Sequence, residues 1–194
     1  PSPSRPCVEA RRPQQPRTMP TDTALHKAAN QGDTNAITAL LDAGTLQVDE
    51  PGASDRRALH RAAGGDHHDA CSLLLQRGAD LDVRDKHGRT PLMWAAMSGA
   101  AQATHVLLES GADCLATTGT GSTALHFACE ANHTETARLI LNSAGSRLEQ
   151  LCGMQDDSGQ TPFDIAAGKG SRPMCVVLKE AGDPNAARCN CTIS

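Results

Sequence analysis

Apolar and polar positions along this chain follow a pattern that resets at near-constant intervals. A seven-residue phrase marks each reset: TALHKAA at Thr23–Ala29, RALHRAA at Arg57–Ala63, TPLMWAA at Thr90–Ala96, TALHFAC at Thr123–Cys129 and TPFDIAA at Thr161–Ala167. The starts are 34, 33, 33 and 38 residues apart. Each phrase reads as a short helix. Its opening Thr (Thr23, Thr90, Thr123, Thr161) suits an N-cap, where the hydroxyl accepts from an orphan N–H of the first turn. Pro91 and Pro162 follow at the first helical position, where a missing N–H costs nothing. The closing pair of small residues, such as Ala28–Ala29 or Ala95–Ala96, lets the helix approach its neighbours closely. A second helix with an apolar end is predicted next, marked by Leu40–Leu41, Leu73–Leu75, Val106–Leu108 and Leu139–Leu141. It closes on Gly44, Gly78 and Gly111, which accept the left-handed conformation. Gly88, Gly121 and Gly159 then place a tight hairpin tip before the next Thr.

Fixed-period self-similarity of this length means stacked supersecondary units, not a globule around one buried cleft. The segment DKHGRTPLMWAAMSGAAQATHVLLESGAD at 85–113 closely resembles the ankyrin repeat, and the resemblance runs through five repeats. It implies an all-α solenoid of helix-turn-helix units with β-hairpin fingers projecting at one edge. The predicted boundaries are a disordered, Pro/Arg-rich lead-in over 1–20, an ankyrin-repeat domain over 21–183, and a flexible tail over 184–194. The repeats fall at about 21–50, 54–84, 87–117, 120–150 and 158–183. Four departures stand out. Arg57 replaces the capping Thr in repeat 2, and Met93 and Asp164 replace the His of the phrase. Lys179 replaces the last Leu of the second helix, as a terminal cap requires. Five residues are added within Ser143–Cys152, either extending a helix or forming a short extra one.

Composition narrows the function. Of 194 residues, 18 are basic and 22 acidic, for a net charge of −4, and only 2% are aromatic. That suits small Ala and Leu faces packing repeat on repeat, and offers neither the basic field nor the stacking platforms of nucleic-acid binding. No apolar run approaches the roughly 18 residues of a membrane helix. Pro1 rather than Met stands first, so a further segment or signal ahead of it is an expectation. A monomer in the cytoplasm is expected.

The eight cysteines do not form a metal or disulfide pattern. Cys71 and Cys175 share one repeat position on a buried helix face, Cys129 replaces the second Ala of its phrase, and Cys7, Cys114 and Cys152 are isolated. Without CxxC pairs, reduced thiols in a cytosolic setting follow. His26, His60 and His126 recur at one step of the phrase. Successive stacked repeats would hold them roughly 10 Å apart, too far for one zinc. The resemblance gives that His a local hydrogen-bonding role instead. Asp66, His67, His68 and Asp69 lie in a turn, where adjacent side chains point apart. No nucleophile–base pair, phosphate-binding loop or dinucleotide fingerprint is present. No enzymatic activity, cofactor or metal is expected.

What the resemblance implies is a non-catalytic scaffold or adaptor that binds a partner protein on its fingers and inner-helix face. Carried over by position, the candidate binding residues are Arg56, Arg84, Lys86, His87, Arg89, Trp94, Met97, Ser98, Glu130 and Gln160. With Arg57, the arginines and Lys86 make a basic rim on an acidic protein. As a binding surface such a rim would favour an acidic or phosphorylated partner segment, or an anionic membrane face; the plainer alternative is a solvated charged edge that keeps the array soluble. Trp94 is either packing or a binding anchor. The final Cys191-Thr192-Ile193-Ser194 fits a C-a-a-X prenylation box, with Cys189 placed for a palmitoyl second anchor, so tethering to the cytoplasmic face of a membrane is a further expectation. Two other readings stay open: the regulatory domain of a larger enzyme or channel, and a soluble inhibitor covering a partner enzyme.

Overall fold

The structure, a computed structural model, describes residues 21–186. Five helix pairs follow one another: α1 (Ala24–Gln31) with α2 (Thr34–Asp42), α3 (Ala58–Gly64) with α4 (His68–Gln76), α5 (Pro91–Ser98) with α6 (Ala101–Glu109), α7 (Ala124–Ala131) with α8 (Thr134–Ala144), and, after α9 (Leu148–Gly153), α10 (Pro162–Gly168) with α11 (Arg172–Glu180). The phrase helices α1, α3, α5, α7 and α10 stack in chain order as an inner layer, and α2, α4, α6, α8 and α11 stack behind them. The architecture is the all-α solenoid that the repeat pattern predicts.

The small pairs explain how close the inner layer packs. Ala29, Ala62, Ala63, Ala95, Ala96, Ala128 and Cys129 are fully buried between successive helices. In the last repeat Ala167 and Lys179 are exposed, because no further repeat stacks on them. The caps follow the sequence closely. The hydroxyls of Thr90, Thr123 and Thr161 accept from the N–H groups of Met93 (3.4 Å), His126 (3.4 Å) and Asp164 (3.2 Å). Where Arg57 replaces Thr, the His60 ring takes over: its Nδ1 accepts from the Arg57 N–H at 3.0 Å. Asp164 does the same in repeat 5, accepting from the Thr161 N–H at 2.9 Å.

Two expectations change in detail. The fingers carry no β-strand among the described residues. Each is a tight turn closed by two backbone bonds: one from Asp85 N to Arg89 O (2.9 Å), Thr118 N to Ser122 O (3.0 Å) or Asp156 N to Gln160 O (3.0 Å), and one back from Gly88 N to Asp85 O (2.9 Å), Gly121 N to Thr118 O (3.1 Å) or Gly159 N to Asp156 O (2.8 Å). Neighbouring turns are joined by a single further bond, such as Lys86 N to Ser54 O or Asp157 N to Thr120 O. Too few residues lie on either side of each tip to build a ladder. Gly121 shows how tightly they stack. Its φ of +72° is left-handed, and a Cβ there would lie 3.0 Å from the Gln155 carbonyl oxygen. The added residues before repeat 5 do both things the sequence allows. α8 runs on to Ala144, a 3-10 turn spans Gly145–Arg147, and α9 forms a short extra helix whose Leu151 and Cys152 are fully buried.

Candidate partner-binding groove

The groove lies where the inner helices end and the fingers of the following repeats lean over them. The histidine column sets that lean. Nε2 of His26, His60 and His126 bonds the carbonyls of Arg56 (2.9 Å), Arg89 (2.9 Å) and Gln160 (3.2 Å), each the last finger residue before the next phrase. Burial pulls the His60 pKa down to about 4, so the ring is neutral at physiological pH. Its Nδ1 accepts from the Arg57 N–H, so Nε2 carries the proton and donates to Arg89 O. Burial lowers His26 and His126 in the same direction. The histidines are thus positioning groups. Met93 interrupts the column and makes only a weak contact, Sδ to Thr90 N at 3.5 Å.

The centre of the groove is an arginine–tryptophan stack. The guanidinium carbons of Arg56 and Arg89 lie 4.9 and 4.4 Å from the Trp94 ring centroid, within cation–π range. Asp85, buried at the foot of finger 3, collects four donors. Its Oδ1 accepts from the N–H groups of His87 (2.8 Å) and Arg89 (2.9 Å), and its Oδ2 from Arg89 Nε (3.0 Å) and Trp94 Nε1 (3.0 Å). Burial by itself would raise the Asp85 pKa; the hydrogen bonds and the Arg89 charge outweigh it and hold the group below the ordinary value. One step back along the stack, Arg61 pairs with Asp22, whose other oxygen accepts from the Ala53 N–H at 2.9 Å.

Residues 25–118 match the family model for ankyrin repeats (3 copies), and residues 107–166 match that for ankyrin repeats (many copies). The chain belongs to the ankyrin-repeat family. It is 35% identical over 166 residues to the E3 ubiquitin-protein ligase XB3 of Oryza sativa subsp. japonica, an alignment covering 80% of this chain and 37% of that protein. It is 41% identical over 81 residues to the transient receptor potential cation channel subfamily A member 1 homolog of Caenorhabditis elegans, covering 40% of this chain and 6% of the channel. Over 77 residues it is 39% identical to the B-cell lymphoma 3 protein of Homo sapiens, 38% of this chain and 17% of that one. The chain thus spans well under half the length of each of these relatives. Ankyrin repeats are protein–protein interaction modules and are generally not catalytic.

Within this ankyrin stack the candidate residues separate into two kinds. Arg84, Lys86 and His87 are exposed on finger 3, although Arg84 also donates to the carbonyls of Gly88 and Thr117. Arg56, Arg89 and Trp94 are half-buried in the central stack, and Met97 Sδ lies 3.8 Å from Arg89 Nη1. The basic rim is therefore narrower than its sequence suggests, because Arg89 is committed to Asp85 and to the indole. Ser98 is exposed at the end of α5. Glu130 and Gln160 are exposed further along the stack; Lys169 donates to Glu130 O at 2.7 Å, and Gln160 N–H to Asp156 at 3.0 Å. Sequence reading missed Asp22, Arg61 and Asp85. A periodic signal marks one of them: Asp85, Thr118 and Asp156 each stand five residues before the phrase, and each accepts backbone N–H groups that shape its own finger.

The cluster at 66–69 splits: His68 Nε2 stays 3.3 Å from Asp69 Oδ1, while the other two residues turn to neighbouring repeats. Asp66 accepts from the Ala103 N–H at 2.8 Å, and His67 Nε2 bonds Asn30 O at 3.0 Å. Five cysteines are buried in the core; burial pushes the thiols of Cys71 and Cys152 up to about 12 and raises Cys129 as well. Cys7, Cys189 and Cys191 lie outside the described residues. Among the described residues no helix is long and apolar enough to cross a membrane.

Proposed function

We propose that the chain is a non-catalytic scaffold that holds one partner protein along the groove between its fingers and inner helices. The observation that carries this reading is the division of labour just described. Histidines and Asp85 fix the fingers, while Lys86 and His87 project from finger 3, and Ser98 from the end of α5, with side chains unpaired among the described residues. A pre-shaped edge of this kind binds with little loss of backbone freedom. The partner segment it suits is acidic, facing Arg84 and Lys86.

Photo-cross-linkers placed singly at Lys86, Ser98 and Glu130, and at His105 on the outer layer, test it. Capture of one and the same protein from the first three positions and not from His105 is expected. Equal capture from His105 would overturn the groove assignment. A second reading, a regulatory ankyrin segment of a longer protein, is supported by the small share of each relative that the chain matches. Tethering through Cys191, with Cys189 as second anchor, rests on the order of residues alone. It predicts that Cys191→Ser moves the protein from the membrane fraction to the cytosol of a eukaryotic host; an unchanged distribution ends it.

A further inference from the structure

A small cavity of about 110 Å³ opens into the groove between repeats 1 and 3, lined by Asn30, Arg56, His60, Arg61, Gly64, Trp94 and Ser98. Its walls hold donors without acceptors. Among the described residues five buried side-chain polar atoms lack a hydrogen-bond partner, and two of them, Arg56 Nε and Arg61 Nε, belong to side chains that line this one cavity. Both Nε atoms are covered, and of the two guanidinium groups only that of Arg56 has no acceptor among the described residues, whereas buried donors are otherwise almost always satisfied. The side chains of Asn30 and Ser98 are likewise without partners among the described residues, and both can donate. His60 contributes no charge, since its ring is neutral and donates to Arg89 O.

Charge points the same way. Three guanidinium groups, Arg56, Arg61 and Arg89, surround the indole and the cavity, against two carboxylates, Asp22 and Asp85. Arg61 is paired with Asp22 and Arg89 with Asp85, which leaves Arg56 with a π face and no anion. The local excess is one positive charge, on a protein of net charge −4. Burial, and then the neighbouring charge of Arg61, bring the Arg56 pKa below the ordinary arginine value, the direction expected of a cation short of a counter-charge. The Trp94 stack holds that guanidinium in place, so an incoming group meets a fork already oriented. Gly64 has no side chain to fill the space in front of it.

From this geometry we infer that the cavity receives a single carboxylate, the side chain of a glutamate or aspartate in the partner segment, held by the Arg56 fork with Ser98 and Asn30 donating beside it. One carboxylate balances the one unpaired cation. A phosphate group, at about −1.5 to −2, would carry more charge than the pocket leaves uncompensated. The inference rests on the reading of the groove as the binding face and names the chemistry it selects.

The test uses capped pentapeptides Gly-Gly-X-Gly-Gly, with X glutamate, glutamine or phosphoserine, titrated at fixed ionic strength into the isotope-labelled protein. Trp94 is the only tryptophan, so its indole N–H resonance reports on the cavity directly. The glutamate peptide is expected to shift it saturably, and the glutamine peptide to bind at least about tenfold more weakly, the loss of one charge-assisted pair. Arg56→Gln should lose the glutamate response by a similar factor of about ten, while Arg138→Gln, on the outer layer where Arg138 pairs with Glu180, retains it. Arg56→Lys keeps the charge without the fork and is expected to bind between the two. No saturable shift, equal binding of glutamate and glutamine peptides, or tighter binding of the phosphoserine peptide would each overturn the assignment. Should the peptides fail while cross-links from Lys86, Ser98 and Glu130 still converge on one partner, the pocket falls and the groove stands.

Discussion

Removing the Asp85 carboxylate should be the most damaging single change in the groove. The side chain is fully buried and accepts four hydrogen bonds, two from backbone N–H groups of its own finger, one from Arg89 and one from the Trp94 indole. Asp85→Ala leaves all four donors without a partner. A hydrogen bond to a charged group contributes about 1.5–3 kcal/mol, and stranding one partner of a buried ion pair costs about 3–5 kcal/mol. Arg89 is 18% exposed and can recover some hydration, so the lower end applies. The expected loss is about 3 kcal/mol, a large share of the roughly 5–15 kcal/mol that stabilises a typical domain. With a urea slope of about 1–3 kcal/mol/M, the midpoint should fall by on the order of 1–3 M. Urea titrations followed by Trp94 fluorescence and by far-ultraviolet ellipticity give the local and the global loss. pH supplies an internal control. The folded-state pKa of Asp85 is lowered, so its contribution is present above the unfolded value of about 3.9 and disappears as pH falls through the folded value. The gap between the wild type and Asp85→Ala should therefore narrow as pH falls below about 3.9. A loss under about 1 kcal/mol at neutral pH, or a gap that does not narrow in acid, would refute the reasoning.

Three further outcomes follow from the same contacts. The His60 pKa is depressed to about 4 from 6.5, so the folded state binds fewer protons across that window and stability declines as pH drops through it. His60→Gln should flatten the decline by up to about 1.4 kcal/mol per pH unit, read from urea midpoints; an unchanged slope would show that His60 is protonated in the fold. Cys71 and Cys152, with thiols at about 12, should resist iodoacetamide at neutral pH in the folded protein and react at once in urea, as peptide mass mapping will show. Gly121→Ala combines a left-handed residue with a Cβ 3.0 Å from the Gln155 carbonyl oxygen, and should lower stability by at least about 1–2 kcal/mol in thermal unfolding; a neutral result would mean that the fingers separate easily.

Much of the fold was legible because its governing interactions are local and repeat. A Thr cap, a Pro at the first helical position, a pair of small residues and a left-handed Gly each act within a few residues, so the phrase alone locates the inner helices and their ends. The histidines could likewise be set aside as structural from spacing. The grooves and rims were a different matter. Arg56, Arg57, Arg84, Lys86 and Arg89 look alike in sequence, yet Arg89 is bound to Asp85, Arg56 lies over Trp94, and Lys86 stands in solvent.

The sequence determined the repeat, the caps, the burial of the core thiols and the terminal character of Lys179, since each depends on the periodic position a residue occupies. Tertiary structure decided which cations remain free. Arg61 meets Asp22 across 39 residues, and His60 holds the finger carbonyl of Arg89 across 29. Such pairings exist only once neighbouring repeats stack, and the charge left over on Arg56 is a property of the stack and not of the phrase.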